Sequence, residues 1–241
     1  MMEDNQSQSA PQTRTNLSLW LRALINLGLI LTIMGLLLFG SAGTLAWPAA
    51  WILILAYGLF LLGFLIWGIT SNQDLLQERS RVAENVKVWD KWINGLYALL
   101  LVAVLVVSGL DARRYQWTTV PVIVQILAGI FIVLSAWLIL RTIVENAYLS
   151  RWARIQDDRG HQVVSTGPYA VVRHPMYIGI LVLMVSMPLQ LGSLWGVVPG
   201  GLIGVLFVLR TTLEDRMLMD ELEGYRDYAS KVRYRLIPRI W

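Results

Sequence analysis

The side chains best suited to chemistry stand in two polar stretches between Arg141 and Trp241. The first, Arg154 to Gly179, reads RIQDDRGHQVVSTGPYAVVRHPMYIG. Gly167-Pro168 marks a turn, and Pro175 suits the first turn of a helix, where its missing N–H costs nothing. A helix starting there aims its unpaired N–H groups and positive dipole end at Arg173 and His174, which outlines a pocket for an anion. Tyr177 adds a ring that can stack or hydrogen-bond, and Gly179, lacking Cβ, lets a ligand approach the backbone. The plainer alternative is a basic start to a membrane helix with an interfacial tyrosine. The second stretch, from Leu209, reads LRTTLEDRMLMDELEGYRDYASKVRYRLIPRIW. Arg210 and Glu214 are four residues apart and share a helix face; a surface ion pair of small energetic value is the plainer reading. Glu221, Tyr225, Tyr228 and Val232 recur at helical spacing, which predicts an amphipathic helix lying on a membrane or capping a site.

The elements that must position these residues are membrane helices. The chain has 241 residues, 56% apolar and only 15% charged, against roughly 25% charged in an average soluble domain. Uncharged runs of membrane scale predict spans over about 19–40, 47–69, 92–110 and 119–141. A further block, 176–209, holds 34 residues; as one helix it would reach about 51 Å, well beyond a hydrocarbon core of about 30 Å. Pro188, Gly192, Ser193, Pro199, Gly200 and Gly201 interrupt it, so it reads as a hairpin of two short helices. The fold class is therefore all-α: a polytopic integral membrane protein of six spans. The hairpin brings the start of its first helix and the end of its second to one membrane face, where Arg173, His174, Tyr177, Arg210 and Glu214 converge. Such a set suits a zwitterionic ligand.

Counting Lys and Arg sets the orientation. The N-terminal segment, the 70–91 loop, the 141–175 segment and the chain from Arg210 carry two, four, five and seven, whereas the opposite face carries only Arg113 and Arg114. That asymmetry places both termini in the cytosol, most simply at an inner or plasma membrane. Trp20, Trp47, Trp67, Trp92, Trp117 and Trp195 fall near span ends, as interfacial anchors do. Residues 1–18 are polar and read as a disordered tail; a cleaved signal peptide competes, but the following apolar run exceeds a normal h-region. The net charge of +4 is explained by anionic headgroups and the orientation rule, so nucleic acid is not an expected partner. With no Cys and two His, His161 and His174, no metal centre is expected. The first 140 residues read as generic membrane helices with no buried ionisable group, which argues against an ion-coupled transporter.

The pairing of HQVVSTGPYAVVRHPMYIG with R-T-T-L-E-D and Y-R-D-Y-x-x-x-V-x-x-R-L-I-P resembles the isoprenylcysteine carboxyl methyltransferase family, in the wider group that includes phospholipid N-methyltransferases. The resemblance spans about residues 150–241 and departs from the family at Asp215, where many relatives carry a second glutamate. It implies an S-adenosylmethionine (SAM) cofactor, a lipophilic methyl acceptor, and three regions: a tail over 1–18, a four-helix scaffold over 19–141, and a methyltransferase region over 142–241. By motif, the cofactor contacts implied are Gln156, His161, Gln162, Val163, Val164, Tyr169, His174, Pro175, Met176, Tyr177 and Glu214, to which the helix-start reading adds Arg173 and Gly179. Arg210 resembles the arginine facing the acceptor, and Arg210 with Glu214 form the expected catalytic pair. The helix start near Pro175 suits the SAM carboxylate, Glu214 its ammonium or ribose hydroxyls, and Tyr169 with Val163-Val164 its adenine. An acceptor carboxylate needs only orientation by Arg210, whereas an amine needs Glu214 or Asp215 to take a proton; the carboxyl reading is favoured. Competing readings are an NADPH-dependent sterol-type reductase and a non-catalytic membrane scaffold or transporter. No G-x-G-x-x-G turn follows a strand, which excludes a soluble Rossmann enzyme.

Overall fold

The structure, a computed structural model, describes residues 10–80 and 86–241. Eight α-helices appear in it: α1 (Ala10–Ala42), α2 (Pro48–Ser71), α3 (Gln73–Ser80), α4 (Val88–Gly109), α5 (Val122–Glu145), α6 (Pro175–Leu191), α7 (Val197–Glu221) and α8 (Tyr225–Lys231), with no strand among the described residues. Five stretches are long and apolar enough to cross a bilayer: Trp20–Ala42, Pro48–Ser71, Val88–Tyr115, Val122–Glu145 and Val197–Glu221. α6 is apolar but shorter, at 17 residues, about 26 Å at 1.5 Å per residue and so at the lower limit for a span. Of the expected tail, residues 1–9 lie outside the described residues, and from Ala10 the backbone is already that of α1.

The helices begin and end where the backbone chemistry dictates. Pro48 and Pro175 stand at the first positions of α2 and α6, where no N–H is required. The α6–α7 hairpin turns at Gly192, whose φ of 88° lies in the left-handed region that other residues adopt only at a cost. α7 packs on α6 closely enough that a Cβ on Gly200 would run into the Met184 carbonyl. The most extensive helix pairing is α5 against α6. The main core joins Leu38, Trp47, Val104, Leu191, Ile203 and Phe207 with Leu236 from the C-terminal segment. A second, smaller cluster sits at one end of the bundle around Tyr169, Leu222, Tyr225 and Tyr228.

Three sequence expectations change here. Trp47 is buried in the main core, because it precedes α2 where that helix meets α1, whereas Trp92, Trp117 and Trp195 are exposed as interfacial rings should be. The expected 221–232 amphipathic helix is broken after Glu221 by Gly224, with φ 78°, so α7 stops and the short α8 folds back with Tyr225 and Tyr228 buried. The scaffold half also carries two fully buried carboxylates, Asp90 and Asp111, at opposite ends of the α4 segment. Both lie just outside the uncharged run that defines the span. Asp111, in a π-helical turn over Leu110–Tyr115, accepts from Thr118 N at 2.8 Å, Thr118 Oγ1 at 2.7 Å, Ser193 Oγ at 2.6 Å and Trp195 N at 3.1 Å. It ties the α6–α7 turn to the end of α4 opposite the Tyr169 cluster, and all four donors satisfy a carboxylate that has left water.

Candidate active site

The start of α6, the last turns of α7 and the short α8 meet in one polar junction centred on Asp215. Its carboxylate is fully buried. It accepts from Arg173 Nε at 2.7 Å and Nη2 at 2.8 Å, from Arg235 Nε at 2.7 Å and from Tyr225 Oη at 2.9 Å, and lies 3.3 Å from His174 Nε2. Arg173 Nη1 also donates to the Val232 and Arg233 carbonyls at 2.9 and 2.8 Å. Burial disfavours the Arg173 charge, but the Asp215 hydrogen bonds outweigh it and hold its pKa above the usual value. Arg173 is thereby committed to a carboxylate of the protein itself. The C-terminal segment closes the junction, since Arg173 N and His174 N donate to the Tyr234 and Arg235 carbonyls, each at 3.0 Å.

Beside this junction lies a cleft partly open to solvent. Its floor is the first turn of α6 and the facing turn of α7. There the Tyr177 hydroxyl donates to Glu214, and the His174 and Tyr177 rings lie parallel with centroids 5.8 Å apart. One wall is the loop His161–Val164 with Tyr169. A second wall, in contact with the first through the Tyr148 and His161 rings, is the strap after α5, with Asn146, Tyr148, Trp152 and Ala153. Met217 and Leu218 of α7, Leu222, and Tyr225 and Tyr228 of α8 complete it. The tyrosines are cross-braced: Tyr228 Oη donates to the Tyr169 carbonyl at 2.7 Å, and Asn146 Nδ2 to Tyr169 Oη at 3.0 Å. Burial raises the pKa of Tyr169 and Tyr225, the latter further because Asp215 stands beside it, and pushes Tyr228 up to about 12. These rings stay neutral at any physiological pH. Burial likewise lowers the pKa of His161, so its imidazole is held neutral near pH 7.

Arg210 sits beneath this floor. Its Nε is 2.9 Å from Asp90 Oδ1 and 4.0 Å from Glu214, its Nη2 donates to the Arg151 carbonyl at 3.0 Å, and its guanidinium lies 5.5 Å from the Tyr177 ring centroid.

Among the residues singled out from sequence, His161, Gln162, Val163, Val164, Tyr169, Arg173, His174, Met176, Tyr177 and Glu214 line the cleft. Gln156, Pro175, Gly179 and Arg210 do not. Gln156 is fully buried and braces the loop instead: its Nε2 donates to the Tyr148 carbonyl at 2.5 Å and its Oε1 accepts from Arg159 at 2.6 Å. Gly179 faces α5, where a Cβ would meet Ile139 Cγ1 at 2.7 Å and the Ser135 carbonyl at 3.2 Å. Its missing side chain serves helix packing rather than ligand approach. Pro175 fixes the start of α6 without reaching the cleft.

Residues 122–223, from α5 to the end of α7, match the phospholipid methyltransferase family model. The fold is similar to that of a eukaryotic intramembrane Ras methyltransferase, isoprenylcysteine carboxyl methyltransferase, with a TM-score of 0.55 and 16% identity over 97% of this chain and 88% of that one. The segment from α5 to the end of α7 is thus similar to the phospholipid methyltransferases, and the fold as a whole to that of an intramembrane methyltransferase. No curated protein matches the sequence significantly. The matched segment supplies the cleft floor and most of both walls. What sequence reasoning missed is largely the support around it: Asp90, the 146–154 strap and Arg235. Asp90 lay outside every predicted span, and the strap carries no motif. The closing Y-R-L-I-P run was the one signal that pointed toward Arg235.

Proposed function

We propose that the protein is a SAM-dependent methyltransferase that moves a methyl group to a lipophilic acceptor at the face of the membrane carrying the Asp215 junction, which the distribution of Lys and Arg assigns to the cytosol. The observation that supports this most strongly is the cleft itself. It joins a carboxylate-bearing floor, Tyr177 and Glu214, to apolar and aromatic walls, Val163, Val164, Tyr169 and Leu218, directly beside membrane helices. Those residues fit the proposed cofactor: a carboxylate for its ammonium or ribose hydroxyls, and flat apolar walls for its adenine. Arg173 is already satisfied by Asp215, so the cofactor's carboxylate falls to the start of α6, with the His174 ring and the positive end of that helix's dipole.

When bound, SAM supplies a methyl carbon made electrophilic by positive sulfur. The protein's task is then to place an acceptor in line with it and to exclude water, which positioning and desolvation can do without a metal. For a carboxylate acceptor, which we favour, Arg210 is the orienting group; its Nη1 makes no protein hydrogen bond among the described residues. An amine acceptor is favoured by a different observation: two carboxylates, Asp90 and Glu214, lie within 4.0 Å of one guanidinium, and Glu214 Oε could take the proton an ammonium must lose. Calorimetric titration of the detergent-solubilised protein with SAM, S-adenosylhomocysteine and NADPH tests the cofactor. The first two are expected to bind; binding of NADPH alone would overturn the proposal in favour of a reductase. Labelled-methyl transfer to a farnesylated cysteine derivative and to phosphatidylethanolamine vesicles then separates the two acceptor classes.

A further inference from the structure

Asp90 lies in the first turns of α4, outside the residues that match the family model, and is 0% exposed. A carboxylate removed from water in this way must be matched by a cation and by donors. Its cation is Arg210, 120 residues away on α7, with Nε at 2.9 Å from Oδ1 and Nη2 at 3.3 Å from Oδ2. Its further donor is the Ala153 N–H, at 2.9 Å from Oδ2. The same guanidinium donates to the Arg151 carbonyl. One buried carboxylate therefore fixes both the arginine under the cleft floor and the strap that walls the cleft. The Nε–Oδ1 contact is close but misaligned, so those two atoms lack a true hydrogen bond; the ion pair and the Nη2–Oδ2 hydrogen bond hold Arg210 there. The competing anion is Glu214, 4.0 Å from Arg210 on the side of the floor.

We propose that Asp90 is the positioning residue of Arg210: it holds the guanidinium back from Glu214 and in register with the 151–153 strap, so that Glu214 stays with Tyr177 and Nη1 stays available to an acceptor. The proposal rests on the methyl-transfer reading above. Without the Asp90 charge, the guanidinium has Glu214 as its nearest anion and shifts toward it. A displacement of about 1 Å at a positioning group costs on the order of 10²-fold in rate.

The test is a double-mutant cycle on Asp90→Asn and Arg210→Lys, with turnover of methyl-labelled SAM into a total lipid extract as the readout and SAM affinity by calorimetry as the control. Asp90→Asn is expected to lower kcat by about 10²-fold with SAM Kd little changed, and the double variant is expected to be no slower than Arg210→Lys alone, because both changes remove one interaction. An Asp90→Asn enzyme with wild-type kcat, or losses that multiply in the double variant, would overturn the proposal. Asp90→Glu retains the charge and is expected to recover part of the rate. If neither Asp90 variant gives a protein with a thermal transition and SAM binding, Asp90 belongs to the fold and the positioning role is refuted. A wild-type protein that binds SAM but labels nothing in the extract instead overturns the methyl-transfer reading, and the proposal with it.

Discussion

Replacing Asp215 with Asn is the sharpest test of how the site is held together. The carboxylate is fully buried and receives two hydrogen bonds from Arg173, one from Arg235 and one from Tyr225. An amide keeps the shape but loses the charge and turns an NH₂ group toward donors. Arg173, with its side chain 5% exposed, is then left as a buried cation with only the Val232 and Arg233 carbonyls. Breaking a buried pair in this way costs about 3–5 kcal/mol; Arg235 is 29% exposed and adds little because solvent screens it. At roughly 2–4 °C per kcal/mol for a chain of this size, the thermal transition should fall by about 6–20 °C. The assay is tryptophan fluorescence on heating in detergent, reporting through 11 tryptophans, at a fixed scan rate because membrane proteins often unfold irreversibly. Asp220→Asn is the control, since it removes only the exposed pair with Arg226 and should leave the transition almost unmoved. If Asp215→Asn melts with the wild type, the junction does not hold the start of α6, and the placement of His174 and Tyr177 needs another cause.

Gly179→Ala should lower the thermal transition, through an overpacking cost of about 1–3 kcal/mol against Ile139 and the Ser135 carbonyl, while the folded fraction keeps wild-type SAM affinity; weaker SAM binding with unchanged stability would return Gly179 to the ligand site. Tyr228 is neutral in the folded state up to a pKa of about 12, so its contribution is intact below the unfolded value of 10.0 and is lost as pH rises through about 12. Ultraviolet difference titration should show its ionisation delayed past that of exposed tyrosines, and Tyr228→Phe should reduce that late component by one tyrosine, leaving the part due to Tyr169 and Tyr225. Glu214→Gln removes a charged hydrogen-bond partner, worth about 1.5–3 kcal/mol, and should weaken SAM binding roughly 10- to 100-fold by calorimetry without altering the melting temperature of the cofactor-free protein by more than a few degrees.

Much of the fold follows from the sequence because lipid demands uninterrupted apolar runs, and charges, prolines and glycines end them. Gly192 turned the hairpin where expected, and Pro175 opened α6 where the R-H-P run placed it. The cleft was half legible for the same reason: a helix start and the helix facing it across a hairpin must adjoin. The long-range partners were not legible. In a soluble helix the apolar stripe shows which face is buried, but a membrane helix is apolar all round, so the pattern does not tell a lipid-facing residue from a packed one. Trp47 and Gly179 were misread on that account. Arg173 looked like a free cation because its anion, Asp215, is 42 residues away. Asp90 looked like a loop carboxylate because its partner, Arg210, is 120 residues away.

The account's central claim is transfer of a methyl group from SAM to a membrane-soluble acceptor, and the most direct measurement follows methyl-labelled SAM into the lipid phase. Wild-type protein in vesicles should move label into an organic-extractable product, with one S-adenosylhomocysteine formed for each methyl transferred, and Glu214→Gln should do so far more slowly at the same SAM concentration. A folded wild-type protein that binds SAM yet leaves all label in the aqueous phase across acidic and amine lipids would contradict the account.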